Sequence, residues 1–189
     1  MAAAKRTSSV QFGVPGLGKK DAGVVIEILQ DRLNALNDLG LTLKHIHWNV
    51  VGPQFISVHT MLDPQVDAVR LMADETAERT ATLGGSPTGT PGALVAARSW
   101  DDYSLGRDSA LAHLGALDLV YAGVIEAHRK AIATTDEPDP VTQDMLIEQA
   151  GQLEQFQWFV RAHLEDPSGS LATSGTRTEQ QAAARARKK

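Results

Sequence analysis

Cysteine is absent from this sequence of 189 residues. Its absence excludes a disulfide framework, thiolate zinc sites and iron–sulfur clusters, so any bound metal must be held by His, Asp or Glu. Long apolar runs are absent too. The N-terminus carries no apolar stretch of signal-peptide length, and no later run approaches about 18 apolar residues, so neither a secretory leader nor a membrane span is expected. These absences predict a cytoplasmic protein that does not enter a membrane.

Strand-like alternation of apolar and polar residues is also lacking, and apolar residues instead recur every three, four or seven positions. This period predicts an all-α protein with four long amphipathic helices, with Ser57 as the N-cap of the second. Pro64 falls inside this second helix, where it could kink the chain or mark the true start of regular hydrogen bonding. The predicted helices span residues 22–50, 57–83, 104–134 and 141–164.

The connection between the second and third helices is unusually long. It runs about 20 residues, from Gly84 to Tyr103, and is rich in glycine and proline, with a short helix expected at residues 94–100. A loop of this length can return the chain along the whole bundle, unlike a tight hairpin. The sequence therefore predicts a four-helix bundle with a long crossover connection.

Charge is distributed unevenly along the chain. Of 18 basic and 23 acidic residues, nine basic and one acidic lie in residues 1–20 and 171–189, which leaves nine basic and 22 acidic residues between them. The ends thus carry +8 and the body −13. We predict a flexible basic tail at 1–20, a helical bundle at 21–166 and a second flexible basic tail at 167–189.

The sequence contains no Glu-x-x-His motif, which di-iron centres within one bundle use on two of their helices. This absence argues against an ordinary ferritin, a bacterioferritin, a rubrerythrin-like peroxidase and a manganese catalase. No haem site is expected either, and any metal centre must be built differently.

Five other residues have the chemistry to bind ferrous iron. Two pairs on the second helix, His59 with Asp63 and Asp74 with Glu78, are spaced i,i+4, so the members of each pair can meet. Asp63 and Glu78 lie about 22 Å apart along a straight helix, too far to share an ion. The step from Asp63 to Asp74 returns to nearly the same face, so a two-fold antiparallel partner could bring the two pairs together. With His47 at the end of the first helix, the arithmetic suggests a site shared between subunits.

A simpler interpretation stands beside this one. Acidic residues on a helix are usually solvated, and an isolated histidine is usually structural. His45, His113, His128 and His163 have no comparable partners, and for these the structural interpretation is preferred.

The stretch HIHWNVVGPQFISVHTMLDPQVDAVRLMADETAERTATLGG closely resembles the core signature of Dps, the DNA-binding protein from starved cells. HWN, VGPQF, VHTMLD and DETAER follow one another with the spacing of that family, and QFQWFVRAHLE resembles its fourth helix. The resemblance covers roughly residues 17–165 and is closest to actinobacterial members. It implies a ferritin-like bundle of the miniferritin type.

The resemblance implies a ferroxidase centre at the same five positions, with His47, His59 and Asp63 from one subunit and Asp74 and Glu78 from its two-fold partner. It also implies a hollow homo-dodecamer, built from two-fold dimers, that oxidises iron(II), preferably with hydrogen peroxide and otherwise with dioxygen. The ferric product would be stored inside, which protects DNA. The alternative is an architectural oligomer that compacts DNA and has a purely structural metal site.

Three further sets of candidate residues follow. Trp48 is a candidate radical trap, although packing explains it as well. The resemblance also implies an acidic ion-entry pore on the three-fold axis near the start of the fourth helix, for which Asp139, Asp144 and Glu148 are candidates, although a solvated helix face explains them equally. The basic tails are candidates for sequence-independent DNA binding, which could place the protein at the nucleoid, or they could lie against the acidic body. The tail candidates are Lys5, Arg6, Arg177, Arg185, Arg187, Lys188 and Lys189.

Overall fold

The computed structural model describes residues 12–189 and consists mainly of helices. Four are long: α1 (Lys19–Asn49), α2 (Phe55–Thr82), α4 (Ala110–Thr135) and α5 (Pro140–Leu164). Two are short: α3 (Pro91–Ala97) and α6 (Glu179–Ala186). The long helices form a bundle in which α1 pairs with α2 and α4 pairs with α5. The predicted all-α four-helix bundle is confirmed.

The core follows the apolar stripe of each long helix. Residues such as Leu36, Leu43 and Ile46 of α1 are fully buried against Leu62 of α2 and Leu117 of α4. Burying a Leu or Ile side chain stabilises a fold by about 1.5–3 kcal/mol, so this continuous stripe is the main stabilising element.

The start of α2 differs from the prediction. The helix begins at Phe55 and has Gln54 at its N-cap, whereas Ser57 lies in the first turn and donates a hydrogen bond to the Gln54 carbonyl at 2.9 Å. The helix continues through Pro64, so this proline does not mark its start. Proline lacks the N–H that would bond the carbonyl four residues earlier, and Thr60 is exposed, so water can satisfy that carbonyl.

Two short parallel strands tie the crossover to the bundle. β1 (Val50–Val51) follows α1 and pairs with β2 (Asp108–Ser109), which directly precedes α4. The pairing sets the starts of α2 and α4 at the same end of the bundle. The helix predicted to begin at residue 104 begins instead at Ala110, where Ser109 accepts a cap hydrogen bond from the Ala112 N–H. Strands of two residues are too short for alternation to reveal them.

The C-terminal segment also differs from the predicted flexible tail, because part of it is a helix docked on the bundle. Helix α6 packs against α4, and Ala182, Ala183 and Ala186 are fully buried. Gly115 of α4 permits this approach, since a Cβ there would lie 2.8 Å from the carbonyl oxygen of Ala182. The basic residues of this segment predicted a solvent-exposed tail. Its small alanine residues instead allow the helix to pack closely against α4.

Helix α4 is the one helix in residues 12–189 with the length and apolar composition of a membrane span. It also contributes Leu114, Leu117 and Tyr121 to the core, and it lies against α1, α5 and α6. Its apolar character is that of the central helix of the bundle.

Candidate metal centre

The end of α1 and the start of α2 bring two histidines together. A tight turn joins the helices through β1, and Gly52 adopts a φ of +100°, which favours glycine. His47 and His59 stack across this turn with ring centroids 3.6 Å apart and planes inclined by 22°. The reversal of the chain therefore builds the first half of the site.

Reciprocal hydrogen bonds fix both imidazole rings. Nδ1 of His47 lies 3.0 Å from the His59 carbonyl, and Nδ1 of His59 lies 2.9 Å from the His47 carbonyl. A carbonyl only accepts hydrogen bonds, so each Nδ1 carries the ring hydrogen in the neutral form. Each Nε2 then keeps its lone pair, which is the arrangement that suits a metal-ligating histidine.

A carboxylate completes the cluster. One nitrogen from each histidine and one oxygen of Asp63 lie within 4.8 Å of one another, and this is the one such group of three in residues 12–189. His47 is 7% exposed, whereas the Asp63 side chain is 51% exposed. The cluster is therefore anchored in the protein on the histidine side and open to solvent on the carboxylate side.

Lys44 is a neighbour of this cluster that sequence reasoning missed. Its ammonium lies 3.1 Å from Oδ1 of Asp63 and 5.9 Å from the centre of the Trp48 ring. The hydrogen bond from Lys44 is the main cause that holds the pKa of Asp63 below its usual range, and the two histidines add to the effect. The sequence contains a signal for this contact, because Lys44 precedes His47 by three residues and therefore lies on the same face of the helix.

Asp74 and Glu78 do not join this group. Both are exposed on α2. They follow Asp63 by 11 and 15 residues, which corresponds to about 16 and 22 Å along the helix axis. The structure therefore gathers three of the five predicted ligands, and the other two form a separate acidic pair.

Several large apolar side chains are exposed along α1 and α2, the helices that carry the candidate ligands. Trp48 is 72% exposed, so it is not a core-packing residue of this chain. An exposed apolar patch of this kind is typical of a protein interface. The exposed large apolar residues of α1 and α2 are Val24, Leu41, Trp48, Phe55, Ile56 and Leu71.

The three pore candidates differ in their surroundings. Asp139 is buried and accepts hydrogen bonds from Arg79 at 2.7 Å and Thr142 at 2.5 Å. Burial opposes its ionisation, but these bonds hold the pKa of Asp139 below its usual range. Asp144 and Glu148 are exposed on α5. Arg79 thus balances the charge of Asp139, and Asp144 and Glu148 retain exposed carboxylates.

The DNA-binding candidates fall into three groups. Lys5 and Arg6 lie outside the described residues. Arg187 forms an ion pair with Asp108, Arg185 donates to the Ser174 carbonyl, and Lys189 contacts the carbonyl of Glu165. Arg177 and Lys188 are exposed. Arg187 and Lys189 therefore contact the bundle, whereas Arg185 contacts the C-terminal segment itself.

Comparison with known proteins identifies the family. The model of the Ferritin-like domain matches residues 26–169. The chain is 60% identical over 178 residues to the DNA protection during starvation protein of Mycolicibacterium smegmatis, covering 94% of this chain and 97% of that protein. The chain belongs to the Dps family of ferritin-like proteins.

Solved Dps structures share the fold. DpsA14 from Streptomyces coelicolor matches with a TM-score of 0.86 and 61% identity, covering 87% of this chain and 98% of that one. Mycobacterium smegmatis Dps matches with a TM-score of 0.87 and 60% identity, covering 88% and 95%. The predicted resemblance to actinobacterial Dps proteins is confirmed, and the predicted crossover bundle is that of a ferritin-like fold.

Proposed function

We propose that this Dps-family protein is a ferroxidase and iron store whose catalytic centre is shared between two subunits. The cluster of His47, His59 and Asp63 carries the proposal. It offers two imidazole nitrogens and a carboxylate, a donor set suited to ferrous iron, but three ligands leave the ion under-coordinated. The acidic pair of Asp74 and Glu78 on a second subunit supplies the missing oxygen ligands.

A two-fold antiparallel contact between the α1–α2 faces satisfies this requirement. It sets the first half of one α2 against the second half of the other and makes two identical sites per dimer. The exposed apolar residues of α1 and α2 support such a contact, since burying them against a second copy removes them from water. Further association of dimers gives the hollow dodecamer implied by the family.

The chemistry follows from the charges. Three carboxylates at one site stabilise iron(III) more than iron(II), which favours electron loss. Two ferrous ions, one hydrogen peroxide molecule and two protons give two ferric ions and two water molecules. The ferric product enters the shell as mineral, and Asp144 and Glu148 provide the acidic entry route for iron. Removing iron and peroxide together protects DNA in the cytoplasm.

The test is iron oxidation after anaerobic loading. Iron(II) is added to the assembled protein without oxygen, peroxide follows, and ferric absorbance is recorded with time. We expect fast oxidation in the wild type and its loss in Asp74→Ala with Glu78→Ala. The matched control, Glu126→Ala with Glu137→Ala, removes two exposed carboxylates from the α4 region and should oxidise iron normally. Absence of oxidation in the wild type would favour the architectural alternative.

We further propose that the basic ends retain DNA without sequence specificity and place the protein at the nucleoid. Multivalent contacts from many subunits release phosphate counterions, so binding should weaken with salt. Replacing Arg187, Lys188 and Lys189 by Gln keeps the buried alanines that dock helix α6. It should weaken DNA retention and reduce its salt dependence.

The control for this experiment replaces Arg107, Arg129 and Lys130 by Gln, which removes the same charge from exposed positions outside the C-terminal segment. Equal loss of DNA retention in both variants would show that DNA binding depends on the net charge of the protein and not on its C-terminal residues.

A further inference from the structure

A second cluster of imidazole and aromatic groups lies near the C-terminal end of α1, apart from the metal ligands. The hydroxyl of Tyr103, in the crossover, lies 3.0 Å from Nδ1 of His113 on α4. The ring of His45 meets Tyr103 edge-on with centroids 5.8 Å apart, and Nε2 of His45 bonds the Leu105 carbonyl at 2.8 Å. The fold therefore places a phenol in direct contact with a core imidazole.

His113 is fully buried, and its Nε2 has no hydrogen-bond partner within residues 12–189. A buried polar atom without a partner destabilises the fold, and an apolar side chain of similar size would avoid that cost. Packing alone does not account for an imidazole at this position.

The protonation states of the pair are set by its surroundings. Burial lowers the pKa of His113, although Asp108 opposes this effect, so the ring is neutral at neutral pH. Burial raises the pKa of Tyr103, and Glu179 and Asp108 reinforce the rise, so the phenol keeps its hydrogen. Its other acceptor, the His113 carbonyl, is 3.5 Å away. The phenol therefore donates to Nδ1.

We propose that Tyr103 is a redox-active residue that reduces one-electron oxidants formed when iron(II) meets peroxide, and that it passes its proton to His113 in the same step. The inference rests on the proposed function for its source of oxidant and of reductant. Tyr103 thereby protects the shell from hydroxyl radicals that form where iron(II) reduces peroxide by one electron, outside the two-electron reaction of the metal centre.

Oxidation of Tyr103 sends its proton and its electron to different acceptors. The O–H bond of Tyr103 breaks, an N–H bond forms at Nδ1 of His113, and the electron reduces a hydroxyl radical, which takes a proton from solvent and becomes water. An iron(II) ion then returns an electron to the phenoxyl radical and becomes iron(III), and His113 returns the proton. One hydroxyl radical, one ferrous ion and one proton give one ferric ion and one water.

The position suits this role. His45 precedes His47 by two residues, so the two clusters lie on different sides of α1, separated by about 10–12 Å, the diameter of a helix with its side chains. Electron tunnelling through protein spans such a distance. Asp108 opposes the effect of burial on His113 and so partly stabilises the imidazolium that the step creates.

The chain supplies its own control, because it contains only two tyrosines. Tyr121 is also fully buried, but its hydroxyl donates to Oε1 of Gln65 at 2.7 Å. A neutral amide is a very poor proton acceptor, so loss of an electron from Tyr121 is not coupled to loss of its proton. The two phenols therefore differ in the group that receives the hydrogen bond.

The test is electron paramagnetic resonance of samples frozen rapidly after peroxide addition to the iron(II)-loaded protein. We expect a tyrosyl signal that narrows when the protein is grown with ring-deuterated tyrosine. The signal should be lost in Tyr103→Phe, which removes only the hydroxyl, and kept in Tyr121→Phe. A tyrosyl signal that persists unchanged in Tyr103→Phe overturns the proposal.

A second experiment separates this proposal from the proposed function. A flash-generated ruthenium tris-bipyridine oxidant replaces iron and peroxide in the metal-free assembly. We expect a tyrosyl radical in the wild type, its loss in Tyr103→Phe and slower formation in His113→Asn. Iron oxidation that fails while this radical forms contradicts only the ferroxidase assignment, and absence of the radical here overturns the role of Tyr103.

Discussion

Two imidazoles at helix α1 have opposite surroundings: His47, which belongs to this helix, and His128, which packs against it from α4. Near the C-terminal end of α1, His47 meets His59 and the carboxylate of Asp63. Near the middle of α1, Nη1 of Arg32 lies 3.5 Å from Nδ1 of His128 on α4. A carboxylate beside an imidazole attracts a cation, whereas a guanidinium already fills that place with its own charge. The neighbouring charge, and not the histidine itself, distinguishes a candidate metal ligand from a core residue.

Burial separates the two regions further. His128 is fully buried, and burial, followed by repulsion from Arg32, lowers the pKa of His128 to about 4. Nε2 of His128 lies 3.3 Å from Oε1 of Gln149, so both nitrogens have partners within the core. The cluster at the end of α1 instead opens to solvent through Asp63. One region is closed to ions, and the other is open to them.

The largest effect is expected from variants that remove one half of the proposed shared metal centre. His47→Ala with His59→Ala should abolish fast iron oxidation, and so should Asp74→Ala with Glu78→Ala. Co-assembling the two variants from mixed dissociated subunits should restore about a quarter of the wild-type sites, because half of the dimers are mixed and each has one intact site.

Ferric absorbance after peroxide addition measures the recovery. Each parent, dissociated and reassembled alone, is the control. If the mixture stayed as inactive as both parents, the ligands would not be shared across a two-fold contact.

An effect of intermediate size is expected at His128 on acidification. The pKa is about 4 in the folded state and 6.5 in the unfolded state, so the unfolded chain binds a proton that the folded chain does not. Stability is therefore fully present above pH 6.5 and falls as the pH drops toward 4, by up to about 3 kcal/mol per subunit. His128→Gln should lose less stability over this range.

Denaturant unfolding at several pH values checks this expectation. The control is His163→Gln, which removes a partly exposed histidine near the end of α5. If the wild type and His128→Gln showed the same acid destabilisation, the closed environment inferred for His128 would be wrong.

The smallest effect is expected at Lys44. Lys44→Met removes the hydrogen bond that chiefly lowers the pKa of Asp63, so that pKa should rise toward its ordinary value. Carbon-13 NMR titration of the metal-free protein measures it. Lys130→Met, which removes an ammonium paired with Glu126 on α4, should leave the Asp63 titration unchanged. A titration unmoved by Lys44→Met would show that the contact is absent in solution.

The sequence by itself determined the helical bundle, because the spacing of apolar residues in its long segments is a property of residue order alone. It also determined the separation of the two candidate ligand pairs on α2, because helix rise alone prevents Asp63 and Glu78 from sharing one ion within a subunit. The family signature could be found in the same way, from consecutive residues around His47 and Asp74.

Tertiary structure alone decided the remaining features, because they depend on contacts between segments distant in sequence. The pairing of β1 with β2 sets the start of α4, and the buried alanines of α6 dock a segment whose charge predicted a flexible tail. The same is true of Arg32 beside His128 and of Tyr103 beside His113. Whether an imidazole binds metal, accepts a proton or only packs depends on such neighbours, and residue order does not specify them.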